Sequence, residues 1–313
     1  MSRFIGALAL LLAIALALGA CAPVAEPPPQ AVAVTDALGR EVAVPVENLR
    51  VAALLGSFAD VYTLAGGRVV AASADAWEDF SLPLEGAVNL GGAHSPSLEA
   101  LFSASPTLVL ASASSASHVA LKEPLEAAGI SVVYFKLNSV EDYLHMLRFS
   151  ADLTGREDLY EKNGVSVKER VDAVCNLYKS SPLPDEKRKV LFLRASSGFV
   201  KAKGSEGSVL GEMLLDLGCI NIADMGSGLL ESLNVEQVIK EEPYHIFIVA
   251  MGDDEAAALS SLDQMMSENP AWGTLRAVQE GRLHVLDKTL FHLKPNARWG
   301  GAYETLFEIL AEE

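Results

Sequence analysis

Ser97-Leu98-Glu99-Ala100-Leu101, then Pro106, then Leu108-Val109-Leu110-Ala111 form a pattern that returns later as Asn234-Val235-Glu236-Gln237-Val238, Pro243 and Ile246-Phe247-Ile248-Val249-Ala250. In both copies a Ser or Asn able to cap a helix precedes a first-turn Glu, a proline follows that Glu at one fixed spacing, and a short apolar run comes next. A helix leading into a wholly apolar strand is half of a parallel α/β unit, because only a sheet covered on both faces buries such a strand completely. The repetition predicts two lobes on one plan. A first-turn Glu is favoured by the helix dipole alone; its recurrence at matching places points to a shared task.

Outward from these segments the alternation continues. Arg50–Leu55, Arg68–Ala72 and Ile130–Phe135 read as strands, with a helix over Phe58–Ala65. Ser139–Ser180 is mostly helical in pattern with a break at Thr154-Gly155, and strands resume at Val190–Leu193 and Arg282–Leu286. Val32–Asp36 and Glu41–Val44 flank Ala37-Leu38-Gly39-Arg40, a β-hairpin with glycine at its turn. The fold class is α/β, with mainly parallel sheets flanked by helices.

The chain has 313 residues, half of them apolar, enough for two packed lobes. Its formal charge of −17 argues against nucleic acid or an electrostatic grip on anionic lipid. Cys21, Cys175 and Cys219 are the only cysteines and form no Cys-x-x-Cys pair, so neither a disulfide framework nor a cysteine zinc site is indicated. Arg3 precedes an apolar run from Phe4 to Leu18, too short for a mature membrane span and suited to a signal peptide. Proline at 23, 27, 28 and 29 then makes residues 22–31 an extended tether.

Leu18-Gly19-Ala20-Cys21 resembles the lipobox of bacterial lipoproteins, which implies cleavage before Cys21 and acylation there. The mature chain resembles the substrate-binding lipoproteins of ABC importers that serve iron–siderophore, haem and cobalamin uptake. The resemblance runs through Thr35–Val42, Arg50–Leu54, the two Glu-Pro segments, Trp272-Gly273-Thr274-Leu275 and Gly281–Leu286. It implies a first lobe over 32–156, a linking helix within 157–180 near Asp158–Lys179, and a second lobe over 181–313. The resemblance further implies a shallow ligand cleft between the lobes and limited hinge closure. It also implies a monomer without intrinsic cofactor, held to the membrane by its lipid anchor alone, that hands a metal chelate to a permease with a cytoplasmic ATPase. In the family one exposed Glu per lobe docks onto permease arginines, and these positions fall on Glu99 and Glu236. One departure is Thr107, where the family usually has Asp after the proline.

Ligands of open α/β sheets sit beyond the carboxyl ends of the strands. The loops there carry Ser57, Trp77, His94, Ser114, His118, Arg194, Lys203, Lys294 and Arg298 as candidate ligand contacts. Val190–Ser205 holds Arg194, Lys201 and Lys203 without an acid, and Arg282–Gly300 holds Arg282, Lys288, Lys294 and Arg298 against Asp287 alone. That concentration of positive charge in a strongly acidic chain calls for an anionic ligand. Trp77, Phe199 and Phe291 are candidates to cover an apolar face; Trp299 is a further one but reads first as a core residue. His94 is the candidate axial ligand to haem iron, with His292 and His118 behind it.

The chain carries no Gly-x-Ser-x-Gly, Gly-x-x-x-x-Gly-Lys-Ser/Thr, His-Glu-x-x-His or Gly-x-Gly-x-x-Gly motif, so an enzyme is not expected. The reading is an extracytoplasmic binding protein that captures a ferric siderophore first of all, with haem or cobalamin next. The alternatives are a lipoprotein for a bare divalent metal, drawing on His94, His118, Glu99 and His292, and a ligand sensor without a transport role.

Overall fold

The computed structural model describes residues 30–312 except 227 and 253, so the signal sequence, Cys21 and most of the tether lie outside the described residues. No helix among the described residues is long and apolar enough to cross a membrane.

The chain enters through a hairpin of β1 (Ala31–Thr35) and β2 (Glu41–Pro45). Asp36 makes its turn: Oδ1 accepts from the backbone N–H of Leu38 and Arg40 at 3.0 Å each, and Oδ2 takes the Arg40 guanidinium at 2.6 Å. Gly39 supplies the left-handed φ of 77° that the turn needs. The first sheet has the order β5-β4-β3-β6-β7, with β3 Val51–Ala53, β4 Val69–Ala72, β5 Val88–Asn89, β6 Leu108–Ser112 and β7 Ser131–Phe135, all parallel. The second has the order β10-β8-β11-β12, with β8 Lys189–Ser196, β10 Ile220–Asn221, β11 His245–Ala250 and β12 Leu283–Leu286 parallel; β9 (Phe199–Ala202) runs antiparallel on β8.

The two copies of the repeated segment occupy equivalent places. Ser97 caps α3 (Leu98–Ser103) and Asn234 caps α7 (Val235–Glu241), each side chain accepting a first-turn N–H. These helices lead into β6 and β11, both interior strands buried along their whole length. Thr107 has its own structural use, its hydroxyl accepting from Arg50 N–H at 2.9 Å where β3 begins.

Between the sheets the chain runs through α4 (Val140–Thr154), which starts in a capping box of Ser139 and Asp142 and ends at Gly155 with φ 67°. A continuous helix then passes from Glu157–Tyr160 through a π turn at Glu161–Val165 into α5 (Ser166–Lys179). The sequence pattern predicts the helix but not its π turn, which arises from packing. Gly164 sits where a Cβ would come within 3.1–3.3 Å of Leu147, Leu144 and Tyr160. The Tyr143 hydroxyl donates to Asn163 O at 2.7 Å, and Asn163 Nδ2 donates to Leu64 O at 2.8 Å. The π turn is thus pinned to the first lobe, whereas α5 packs on α6 (Val209–Leu217) and α8 (Trp299–Ala311) of the second.

One apolar cluster continues through this layer, from Phe58, Leu110 and Phe135 via Met146, Leu147 and Val171 to Phe192, Phe247, Trp299 and Tyr303. Each sheet's other face has a separate cluster, around Leu101 and Tyr134 in the first lobe and Ile248 and Trp272 in the second. Phe291 and Trp299 belong to the shared core, 2% and 0% exposed: Trp299 takes the core place expected of it, whereas for Phe291 burial corrects the expectation that it covers a ligand. Cys175 and Cys219 are free and buried, and burial pushes their thiols up to about 11 and about 12. Asn163→Ala should lower stability by about 1 kcal/mol through the lost bond to the end of the Gly56–Leu64 helix. Urea unfolding should show this as a lower midpoint at unchanged slope.

Candidate functional site

α1 (Gly56–Leu64) follows β3 and α2 (Asp75–Glu78) follows β4, so both begin at the carboxyl edge of the first sheet. Asp75 ties them together: Oδ2 accepts from Gly56 N–H at 2.8 Å and Oδ1 from the Ser73 hydroxyl at 2.5 Å. Facing them is the second lobe's segment after β12, a short helix Lys288–Phe291 running into His292-Leu293-Lys294. The space between is a cavity of about 530 Å³, walled by Leu55, Ser57, Asp75, Glu78, Asp79, Phe80 and the 92–95 loop on one side and by His292, Leu293 and Lys294 on the other. Another hollow of about 460 Å³, lined by Leu177, Tyr178, Tyr244 and Phe307, lies near the amino ends of the second sheet's strands and takes no residue from the first lobe.

The second-lobe wall is basic at depth. Lys294 donates to Asn138 Oδ1 at 2.8 Å and has no salt bridge among the described residues; burial, with the nearby Arg194 charge, lowers its pKa to about 8. The Nε of Arg194 is buried without a partner, and burial lowers the pKa of that guanidinium too. His292 is pushed down to about 4 by burial and by Arg194, Lys294 and Lys288, so it is a neutral imidazole, with its buried Nδ1 unpartnered. Lys203 is lowered by burial and then by Arg194 and Lys201. Neither Arg194 nor Lys203 is part of the cavity wall. The Asp142 charge partly opposes the shift of Lys294 without forming a salt bridge with it, and a bound anion would relieve the remaining cost of desolvation.

The opposite wall, with Asp75, Glu78 and Asp79, is acidic, a feature that sequence reading passed over in favour of Trp77. Three acids within Asp75-Ala76-Trp77-Glu78-Asp79 are the signal that was available. Trp77 itself is half-buried against the core and is not part of the cavity wall.

The remaining expected residues divide. Ser57 and His94 line the cavity, the latter exposed at its mouth. His118 does not reach it. Its ring is 0% exposed, Nδ1 accepts from Ser112 N–H at 3.2 Å and Nε2 donates to the Ala93 carbonyl at 2.6 Å. A ring bonded at both nitrogens cannot ligate a metal; it anchors the loop that carries His94. Ser114 is exposed outside the cavity wall, its N–H donating to the Ser112 hydroxyl.

Arg298 is exposed and lines a separate depression with Asp60 and Thr289, its guanidinium reaching the Thr289 carbonyl at 3.3 Å. Arg282 is remote from the cleft, stacked 3.7 Å from the Tyr244 ring ahead of β11. The basic run in the sequence is therefore split, and only part of it faces the cleft.

Glu99 and Glu236 are exposed in the first turns of α3 and α7, and neither makes a salt bridge among the described residues. Because both helices lead into parallel strands, their starts lie on the same edge of each sheet as the ligand loops. No group of three or more His, Cys, Asp or Glu among the described residues is disposed to hold a metal ion, and no tyrosine lines the cavity.

A sequence profile of the periplasmic binding protein family matches residues 52–290. The chain belongs to that family. The family comprises extracytoplasmic binding proteins, not enzymes. The periplasmic haem-binding protein RhuT of Roseiflexus sp. RS-1 superposes with a TM-score of 0.65 at 22% identity, covering 84% of this chain and 97% of its own. Staphylococcus aureus IsdE, solved with haem, gives 0.69 at 14% identity over 85% of this chain and 100% of its own. Staphylococcus aureus SirA, solved with staphyloferrin B, gives 0.68 at 19% identity over 90% and 99%. A search of curated proteins gave no significant match. These likenesses establish the two-lobed α/β fold.

A Cβ added at Gly56 would stand 2.5 Å from Ala76 N and 2.7 Å from the Asp75 carbonyl carbon, backbone atoms that cannot swing aside. Gly56→Ala should cost about 1–3 kcal/mol and displace the Asp75–Glu78 helix, to be read as a lowered melting temperature together with altered ligand affinity.

Proposed function

We propose that this periplasmic binding protein is the ligand-capturing lipoprotein of an ABC importer. Anchored outside the cell through an acylated Cys21 after removal of residues 1–20, it takes up an iron chelate and delivers it to a permease whose partner ATPase supplies the energy. The observation that carries the reading is the half-buried Lys294 in the wall of a cavity built by both lobes, without a salt bridge among the described residues and with the half-buried Arg194 charge near it.

A ferric siderophore suits that cavity best. Its anionic oxygens would take the Lys294 ammonium in a charge-assisted bond, while hydroxyl or amine groups on the other side meet Asp75 and Glu78. The haem and staphyloferrin B named for RhuT, IsdE and SirA support an iron chelate as the class. Haem is the second reading, favoured by the exposed His94 imidazole at the cavity mouth with propionates directed at Lys294; cobalamin follows. Glu99 and Glu236, one exposed carboxylate on each lobe, would pair with basic groups of the permease and set the orientation of the lipoprotein above it.

The soluble chain from Ala22 onward, titrated with haemin, ferric siderophores and cobalamin, tests the ligand. Tryptophan quenching by a ferric chelate that is lost in Lys294→Met supports the siderophore. A Soret shift lost in His94→Ala supports haem, and no response to any of the three removes the iron-chelate reading.

Lys294→Met should weaken an anionic chelate by about tenfold to a hundredfold, the scale of one charged hydrogen bond, while leaving the unliganded protein at least as stable, since a desolvated charge is removed. The pH dependence has a definite sign. Lys294 is protonated below about 8 and loses its proton above that value, and a bound anion favours the charged form, so affinity should fall as pH rises through 8. That fall should be absent in Lys294→Met.

Charge reversal at both Glu99 and Glu236 should leave ligand affinity unchanged and reduce uptake by about tenfold or more, because it sets like charges together at the docking points. Undiminished uptake would instead favour a sensor role.

A further inference from the structure

Asn296 is 0% exposed and lines neither the cavity nor the Arg298 depression. Its backbone sits at φ 53°, in the left-handed region that asparagine tolerates better than most residues. The side chain crosses to the other lobe, where Nδ2 donates to the Ser57 carbonyl at 3.1 Å and to Asp60 Oδ2 at 2.7 Å. Its own Oδ1 is buried with no partner. A buried amide with one half unsatisfied is unfavourable for packing alone, so the use of this residue lies in the two bonds that it donates.

Both acceptors belong to α1, whose first residues Gly56 and Ser57 stand beside the cavity. Lys294 is two residues before Asn296 and His292 four. Two residues of chain reach at most about 7 Å, so the distance between the Lys294 wall and the Ser57 wall is set close to this contact. The acceptor is well prepared: Asp60 is desolvated, which raises its carboxyl pKa, while the Asn296 amide and the Arg298 charge act in the opposite direction. The Tyr143 hydroxyl is the further titratable group that feels the Asp60 charge.

We propose that Asn296 is the positioning residue of the cleft, clasping the wall that carries His292 and Lys294 to the helix that carries Ser57, so that the cavity is held at its working width before ligand arrives. The inference rests on the reading of this cavity as the ligand site. Preorganisation of this kind adds to affinity by sparing the ligand the cost of ordering the loop. It adds a further tie between the lobes to the shared apolar core and the Lys294–Asn138 bond.

The test uses the full chain in detergent and three variants, with the thermal midpoint followed to show that each is folded. Asn296→Gly keeps the left-handed backbone and removes only the side chain. Asn296→Asp sets a second carboxylate against Asp60, and Asp60→Asn combined with Asn296→Asp restores an amide-to-carboxylate bond with the roles exchanged. Amide hydrogen exchange over residues 288–299 without ligand reads the clasp, and binding of ferric staphyloferrin B and of haemin reads its consequence.

Exchange in that segment should quicken by about tenfold in Asn296→Gly and Asn296→Asp, affinity for whichever probe binds should fall by about tenfold, and the exchanged pair, which regains the bond at position 60 but not the one to the Ser57 carbonyl, should recover part of both relative to Asn296→Asp. Recovery in the exchanged pair is the outcome that a role in bulk packing would not produce. Unchanged exchange in Asn296→Gly overturns the clasp. Faster exchange with undiminished affinity overturns the positioning role, as does an exchanged pair no better than Asn296→Asp. If neither probe binds the wild-type chain, the ligand reading is what has failed, and the exchange measurement still decides the clasp.

Discussion

The apolar layer shared by the two lobes is the constraint on which the rest of the molecule depends. Met146 and Leu147 from one helix, Val171 from the next and Trp299 and Tyr303 from the last join a single core reaching from Phe135 in the first sheet to Phe247 in the second. Moving one sheet far against the other would open this core and expose apolar surface at about 25 cal/mol per Å². Large excursions of the lobes are therefore expensive, and the cavity walls inherit a nearly fixed separation. The π turn at Glu161–Val165 falls where the linking helix passes from first-lobe to second-lobe contacts.

Within that frame the cavity walls are held by backbone-directed bonds rather than by bulk packing. Asp75 fastens Gly56 to the turn after β4, and the His118 ring grips the Ala93 carbonyl beside His94. Loops fixed in this way keep their side chains where a ligand meets them without needing an apolar core of their own. Gly56 is required at its place because the backbone of the Asp75–Glu78 helix approaches to within a methyl group of it.

The electrostatics of the site runs against the overall charge of the chain. A protein of net charge −17 keeps Lys294 and Arg194 half-buried at and near its cleft without a salt bridge among the described residues, and sets Asp75, Glu78 and Asp79 on the facing wall. The two walls are opposite in sign, so a ligand is sorted by where its charges lie as well as by its net charge. The same desolvation keeps His292 neutral and leaves His94, at the mouth, as the exposed imidazole of the cavity.

Repetition and periodicity in the sequence were enough to establish the α/β class, the hairpin turn, the caps at Ser97 and Asn234, and the buried strands β6 and β11, because these follow from interactions among residues close along the chain. The exposure of Glu99 and Glu236 was legible for the same reason, as polar first-turn residues of amphipathic helices. Folding in three dimensions sorted the rest. His118 and Arg298 looked equivalent to His94 and Lys294 as loop residues, yet one is bonded at both ring nitrogens and the other sits in a different depression. Asn296 and Asp60, 236 residues apart, meet across the lobes. Burial and partnership depend on what distant segments bring to a side chain, and no local pattern encodes that.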